Sequence, residues 1–80
     1  MKFVATMNMP SGGGNLVHQV AFEHHAKTLE ELLREIAALN DSGHLFLMVD
    51  ELYRENRDMI ENGQTALSLH HIGKLRIFRD

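Results

Sequence analysis

Apolar residues recur at helical spacing within residues 28–43. Five aliphatic side chains share one stripe of a 3.6-residue period: Leu29, Leu32, Leu33, Ile36 and Leu39. Thr28 stands at the N-cap position and Glu31 follows three residues later, as in a capping box. Gly43 can adopt the left-handed conformation that ends a helix. The pattern predicts one amphipathic helix that buries its stripe against a sheet.

Two segments before the helix alternate between apolar and polar positions, as strands do. Residues 1–7 predict a first strand and residues 16–24 a second. Between them, residues 8–15 contain Pro10 and three successive glycines, which predicts a turn or loop. This connection is too short for a crossover, so the two strands should form an antiparallel hairpin.

The segments after the helix predict further strands. Residues 45–49 are apolar on both faces, which is typical of a central strand. Residues 50–61 allow a second helix, but we favour a strand through Tyr53, a polar turn at 55–58 and a return from Met59. Residues 66–70 and 74–78 predict the last strands, with a bend between them.

These elements predict a single α+β domain over residues 1–80. Its order is β-β-α-β-β-β, with an antiparallel or mixed sheet of four to five strands and one helix on one face, in two layers. A single helix leaves the other face uncovered. Residues 45–49 would expose apolar area there, together with Val4, Val17 and Phe78. The pattern therefore predicts a homodimer packed sheet to sheet.

Composition narrows the classes of function. The 80 residues include no cysteine, which excludes disulfides and thiolate chemistry and suits a reducing cytosol. The net charge of −3, with eight Lys and Arg residues, gives no electrostatic footprint for nucleic acid. Neither a membrane-spanning run nor a signal peptide is apparent, so we expect a soluble cytoplasmic protein without a membrane partner.

The histidines are the most unusual feature of the composition. There are six of them: His18, His24, His25, His44, His70 and His71. Neutral imidazole suits divalent transition metals, and strand pairing could bring His18, His24 and His70 together, with Asp50 or Glu51 as the oxygen ligand. Neighbours on a regular strand point to opposite faces, so His24 and His25 should not chelate together. The competing interpretation is a set of surface histidines with no cofactor.

The glycine run is a second candidate site. It comprises Ser11, Gly12, Gly13, Gly14 and Asn15, whose backbone donors could bind an anion or contact a partner. A phosphate-binding loop normally opens a helix and is followed by Lys. Here a strand pattern follows without Lys, so a flexible hairpin loop is favoured.

Taken together, these patterns predict a small non-enzymatic interaction or regulatory module that self-associates through its sheet face. A protein partner other than itself is also compatible with this class. The alternative is a metal-binding protein or small metal-dependent enzyme that uses the cross-strand histidines with Asp50 or Glu51. No catalytic residues are predicted.

Overall fold

The computed structural model of this chain describes residues 1–55 and 58–79. It contains one antiparallel sheet of five strands, one α-helix and a short 3₁₀ turn. In chain order these are β1 (Lys2–Ser11), β2 (Gly14–Glu23), α1 (Leu29–Asp41), β3 (Phe46–Glu55), β4 (Asp58–Ser68), the 3₁₀ turn (Leu69–His71) and β5 (Ile72–Ile77). The predicted α+β class and element order are confirmed. The two-layer arrangement stays a prediction.

Both ends of the helix follow the sequence signals. The Thr28 hydroxyl accepts a hydrogen bond from the Glu31 N–H at 3.0 Å, which satisfies one of the free donors of the first turn. The Glu31 carboxylate accepts from the Lys27 N–H at 2.6 Å, one residue further back than in the usual capping box. Gly43, with φ of +81°, follows the C-cap in the left-handed region. The predicted helix and its termination are confirmed.

The first hairpin has a much shorter loop than the sequence predicts. β1 and β2 pair continuously as far as Ser11 and Gly14, so only Gly12 and Gly13 form the turn. The predicted loop over residues 8–15 is therefore wrong. Pro10 is tolerated in a strand here because β5 pairs with β1 only from Phe3 to Met7, which leaves the Pro10 end of β1 without a second neighbour.

The second hairpin, β3–β4, confirms the two strands that were favoured for residues 50–61 over a second helix. The turn predicted at 55–58 falls in part on residues 56 and 57, which lie outside the described residues. β4 continues from Asp58 to Ser68, so the separate strand predicted at 66–70 is mostly the end of this longer one. The pairing register shifts between Asp50 and Leu52, opposite Gly63, whose φ is +95°.

The sheet order is β4-β3-β2-β1-β5, so the two edge strands are consecutive in the chain. In a flat sheet these edges would be four strand spacings apart, about 19 Å. The four peptide steps from Ser68 to Ile72 reach about 14 Å at most. The sheet must therefore curl. Correspondingly, β2 pairs with β3 only at three positions, Ala21 to Glu23, and the two hairpins diverge beyond them.

The core lies inside this curl. Its fully buried large side chains are Phe3, Phe22, Leu32 and Leu47. From the helix, Leu32 is buried, and Leu29, Ile36 and Leu39 are half-buried against the core. Leu33 was predicted on the same stripe but is 47% exposed. The helical spacing predicted for Leu33 is correct, but its predicted burial is wrong, because it lies at the margin of the apolar stripe.

The outward face is more covered than the sequence predicts. Val4 and Leu52 are buried, although their strand positions place them away from the Phe3 side of the sheet. Phe78, beside Lys2 at the end of β5, is half-buried, and the Arg54 guanidinium lies 6.0 Å from its ring centroid. Val4 and Phe78 therefore do not belong to an uncovered apolar face.

Candidate functional site

Three large apolar side chains that stay exposed lie close together in sequence at the start of β3. Leu45, Phe46 and Met48 are 55%, 51% and 55% exposed, and we call them the β3 patch. The patch arises from alternation: Leu47 and Val49 point into the core, so Phe46 and Met48 point away from it. On β4 they pair with Ser68 and the exposed Ala66.

A groove of about 210 Å³ adjoins the β3 patch. Phe46 forms part of its wall, together with Met7, Met9 and His18 from the first hairpin and Ala66 from β4. A cavity of roughly 150 Å³ accommodates a benzene ring, so the groove is large enough for one large side chain. Patch and groove together form one surface in which an apolar projection lies beside a recess of mixed lining, which also includes Glu51, Thr65 and Ser68.

The two edge strands differ in charge. From residue 62 to residue 68 β4 has no charged side chain, whereas β5 carries Lys74 and Arg76. Charged residues at a sheet edge discourage pairing with another chain. Pairing two copies of β5 would also bring their basic residues close together. The β4 edge beside the β3 patch carries no charged side chain from residue 62 to residue 68, so neither effect opposes its pairing with a second copy.

A second candidate site is a cluster of His24, His25 and Glu35. The Nε2 atoms of His24 and His25 lie 3.3 and 3.1 Å from the same carboxylate oxygen of Glu35. The two imidazole rings stack with centroids 4.2 Å apart. β2 ends at Glu23, so both histidines lie on the connection to α1. The strand argument that separated them therefore does not apply.

The environment of His24 determines which ring nitrogen carries the proton and shifts the pKa of the side chain. Its side chain is only 4% exposed, and its Nδ1 accepts a hydrogen bond from the Ala26 N–H at 3.0 Å. In a neutral imidazole the proton must then be on Nε2, which lies 3.3 Å from a carboxylate oxygen of Glu35. Burial lowers the pKa of His24 below its usual value, and Glu35 opposes this shift only in part.

The same cluster can be tested as a metal site. The described residues contain one group of at least three potential metal ligands, these three, with ligand atoms within 4.8 Å of one another. Separations of 3.1 and 3.3 Å match the edges of a coordination shell with metal–ligand bonds of about 2.1 Å. However, a metal on Nε2 would move the His24 proton to Nδ1, where it would face the Ala26 N–H donor. The donor set therefore favours a hydrogen-bonded cluster over a metal centre.

The structure does not bring the metal residues predicted from the sequence together. Of His18, His24 and His70, only His24 belongs to the cluster. His18 lines the groove beside Met9, and His70 is exposed in the 3₁₀ turn. Asp50 and Glu51 are also outside the cluster. Metal binding by these residues stays a prediction to which this arrangement adds no support.

The glycine run is not a cradle. A Cβ atom added at Gly12, Gly13 or Gly14 would meet nothing within 4 Å. The residues form the hairpin turn and the start of β2, which accounts for their presence without a ligand. Ligand or partner contact by Ser11, Gly12, Gly13, Gly14 and Asn15 stays a prediction.

Sequence reasoning missed His25 and Glu35 as partners of His24. Glu35 is three residues after Leu32, hence on the core-facing side of the helix, and this spacing was the available signal.

Within the described residues, no helix is long and apolar enough to cross a membrane. No family model, curated protein or solved structure matches the chain. A function is therefore inferred from the two candidate sites alone.

Proposed function

We propose that this protein is a small interaction module that self-associates through the β3 patch, with a second copy of the chain as its partner. The observation that carries the proposal is the exposure of Phe46 and Met48 beside a groove partly lined by apolar side chains. The largest exposed apolar patch on a protein surface is often a functional contact. A two-fold contact places the projection of each copy against the recess of the other.

Charge supports a second copy over a partner of opposite charge. The β3 patch and the β4 segment from residue 62 to residue 68 contain no charged side chain. A two-fold arrangement brings the same surface of both copies together, so any charge there would meet its own like. The patch and this β4 segment avoid that repulsion, and the groove wall contains one acidic side chain, Glu51.

The exposed area of the β3 patch limits how much of a protein–protein interface the patch can supply. Three large side chains, each about half exposed, offer roughly 300 Å² per copy. A standard interface buries about 800 Å² per partner. The patch thus supplies about a third of such an interface, and the groove and the β4 edge must supply the rest. We therefore expect a weak dimer, with a dissociation constant in the micromolar range.

The test is sedimentation equilibrium over about 5 to 500 µM, a range that brackets a micromolar dissociation constant. Met48→Lys puts a charge in the patch without touching the core, and we expect it to shift the protein to monomer. Val17→Lys is the matched control, because Val17 is also exposed (60%) and lies on a strand, but outside the β3 patch. A wild-type protein that is monomeric throughout, or equal effects of both variants, contradicts the proposal.

A further inference from the structure

The His24–His25–Glu35 cluster lies where the helix meets the core. His24 immediately follows β2, and Glu35 lies in the middle of α1, three residues after the fully buried Leu32. The His24 ring also packs edge-on against Phe3, with centroids 6.5 Å apart. The cluster thus joins the end of β2, the helix and a fully buried core side chain.

A second proton on His24 disturbs this junction. In the neutral form Nδ1 accepts a hydrogen bond from the Ala26 N–H, and the protonated Nε2 lies 3.3 Å from the Glu35 carboxylate. The added proton has to go on Nδ1, where two donors would then face each other. Acid therefore removes the hydrogen bond that shapes the connection from β2 to α1.

His25 makes the effect stronger. It is largely exposed and contacts the same Glu35 oxygen as His24, at 3.1 Å. The two imidazole rings stack on each other, and the electrostatic effect of His25 disfavours the charged form of His24. Protonated His24 is therefore held less well than neutral His24.

We propose that the His24–His25–Glu35 cluster is a pH-sensitive latch, which holds α1 on the core at neutral pH and lets it open more often when His24 is protonated. The charged groups that act on His24 are Glu35 from the helix, His25 beside it and the amino-terminal ammonium of Met1, which donates to the His24 carbonyl oxygen. Glu35 favours the charged ring, whereas burial, His25 and the ammonium oppose it.

The direction of the pH dependence follows from linkage. The pKa of His24 is lowered from 6.5 in the latched state, so the open state binds the proton more readily. The latch is therefore fully stable above pH 6.5, and its stability falls as the pH drops through the lowered pKa of His24. Each unit of difference in pKa between the two states changes the opening equilibrium about tenfold.

Amide hydrogen exchange on the full chain, corrected for intrinsic rates, measures this opening. Between about pH 7.5 and 5.5 we expect protection across residues 26–36 to fall severalfold relative to the β1–β2 hairpin, towards a limit of about tenfold for each unit of pKa separation. Equal loss in the helix and the hairpin overturns the proposal, because that result describes general acid unfolding. Stabilisation of residues 24–36 by added Zn²⁺ also overturns it, because the cluster would then be a metal site.

Two variants distinguish an effect of His24 titration from a purely structural effect of the cluster. In His24→Asn the amide oxygen matches the position of Nδ1 and can still accept from the Ala26 N–H but does not titrate, so the differential loss should disappear. His44→Asn is the matched control, because His44 is exposed and lies after the helix, outside the cluster. If His24→Asn does not fold, Glu35→Gln serves instead. It removes the group that favours the charged ring, so protection at acid pH should fall further than in wild type. An unchanged pH profile in either variant overturns the latch.

Discussion

Leu32 and Leu33 are adjacent, chemically identical and assigned to the same apolar stripe, yet they differ sharply in burial. Leu32 is 0% exposed within the core, and Leu33 is 47% exposed. Leu33 borders a shallow groove with Ile36 and Leu75, so it is half covered at most. Truncating each to alanine therefore compares a buried site with a surface site at nearly the same helix position.

The expected magnitudes differ severalfold. Leu32→Ala loses the transfer free energy of the buried side chain and leaves a cavity, which together cost about 3 to 4 kcal/mol. Leu33→Ala loses about half of a buried leucine's contribution, roughly 1 kcal/mol, and alanine favours the helix slightly. A domain of this size has a total stability of about 4 to 12 kcal/mol. Leu32→Ala thus removes a large fraction of it.

Urea denaturation followed by circular dichroism measures both variants. With a slope near 1 kcal/mol per molar, Leu32→Ala should lower the midpoint by about 3 M and Leu33→Ala by about 1 M. A similar slope in all three proteins shows that the same surface unfolds. Equal shifts for the two variants would refute the placement of Leu32 in the core and of Leu33 outside it.

Two further predictions concern backbone conformation and the helix cap. Gly63→Ala forces a side chain into a left-handed conformation (φ of +95°) and should cost about 1 to 2 kcal/mol in urea denaturation. In contrast, Gly73→Ala meets only an ordinary 3.6 Å contact with the Thr6 carbonyl oxygen and should cost less; the reverse order would contradict the β4 geometry. Thr28→Ala removes the hydroxyl that caps α1 and should cost about 1 kcal/mol, with Thr28→Ser restoring it. No loss in the alanine variant would mean that this hydrogen bond is not formed in solution.

The helix and the strand order were predictable because their signals are local. The capping hydroxyl of Thr28, the period of the apolar residues and Gly43 each specify structure within a few residues. The length of the first hairpin loop was not predictable in the same way. Three successive glycines are compatible with a long loop, and only the pairing of Ser11 with Gly14 reduces the turn to two residues.

Burial and the histidine cluster depended on tertiary structure. Val4 lies opposite the Phe3 side of β1 and is nevertheless buried, which alternation along the strand does not predict. The stacking of His24 on His25 requires the chain to leave the strand at Glu23, and their shared contact requires Glu35 to face them from the helix. Strand alternation alone contains none of this information.

The central claim is that the β3 patch is the contact between two copies, and chemical cross-linking tests it most directly. The chain has no cysteine, so a single introduced one is unique. Met48→Cys places it in the patch, and Val17→Cys places it at an exposed strand position outside the patch. With a short bis-maleimide reagent, we expect rapid formation of a covalent dimer from Met48→Cys, with a rate that rises with protein concentration, and little from Val17→Cys. Equal and slow cross-linking of both variants would contradict the claim.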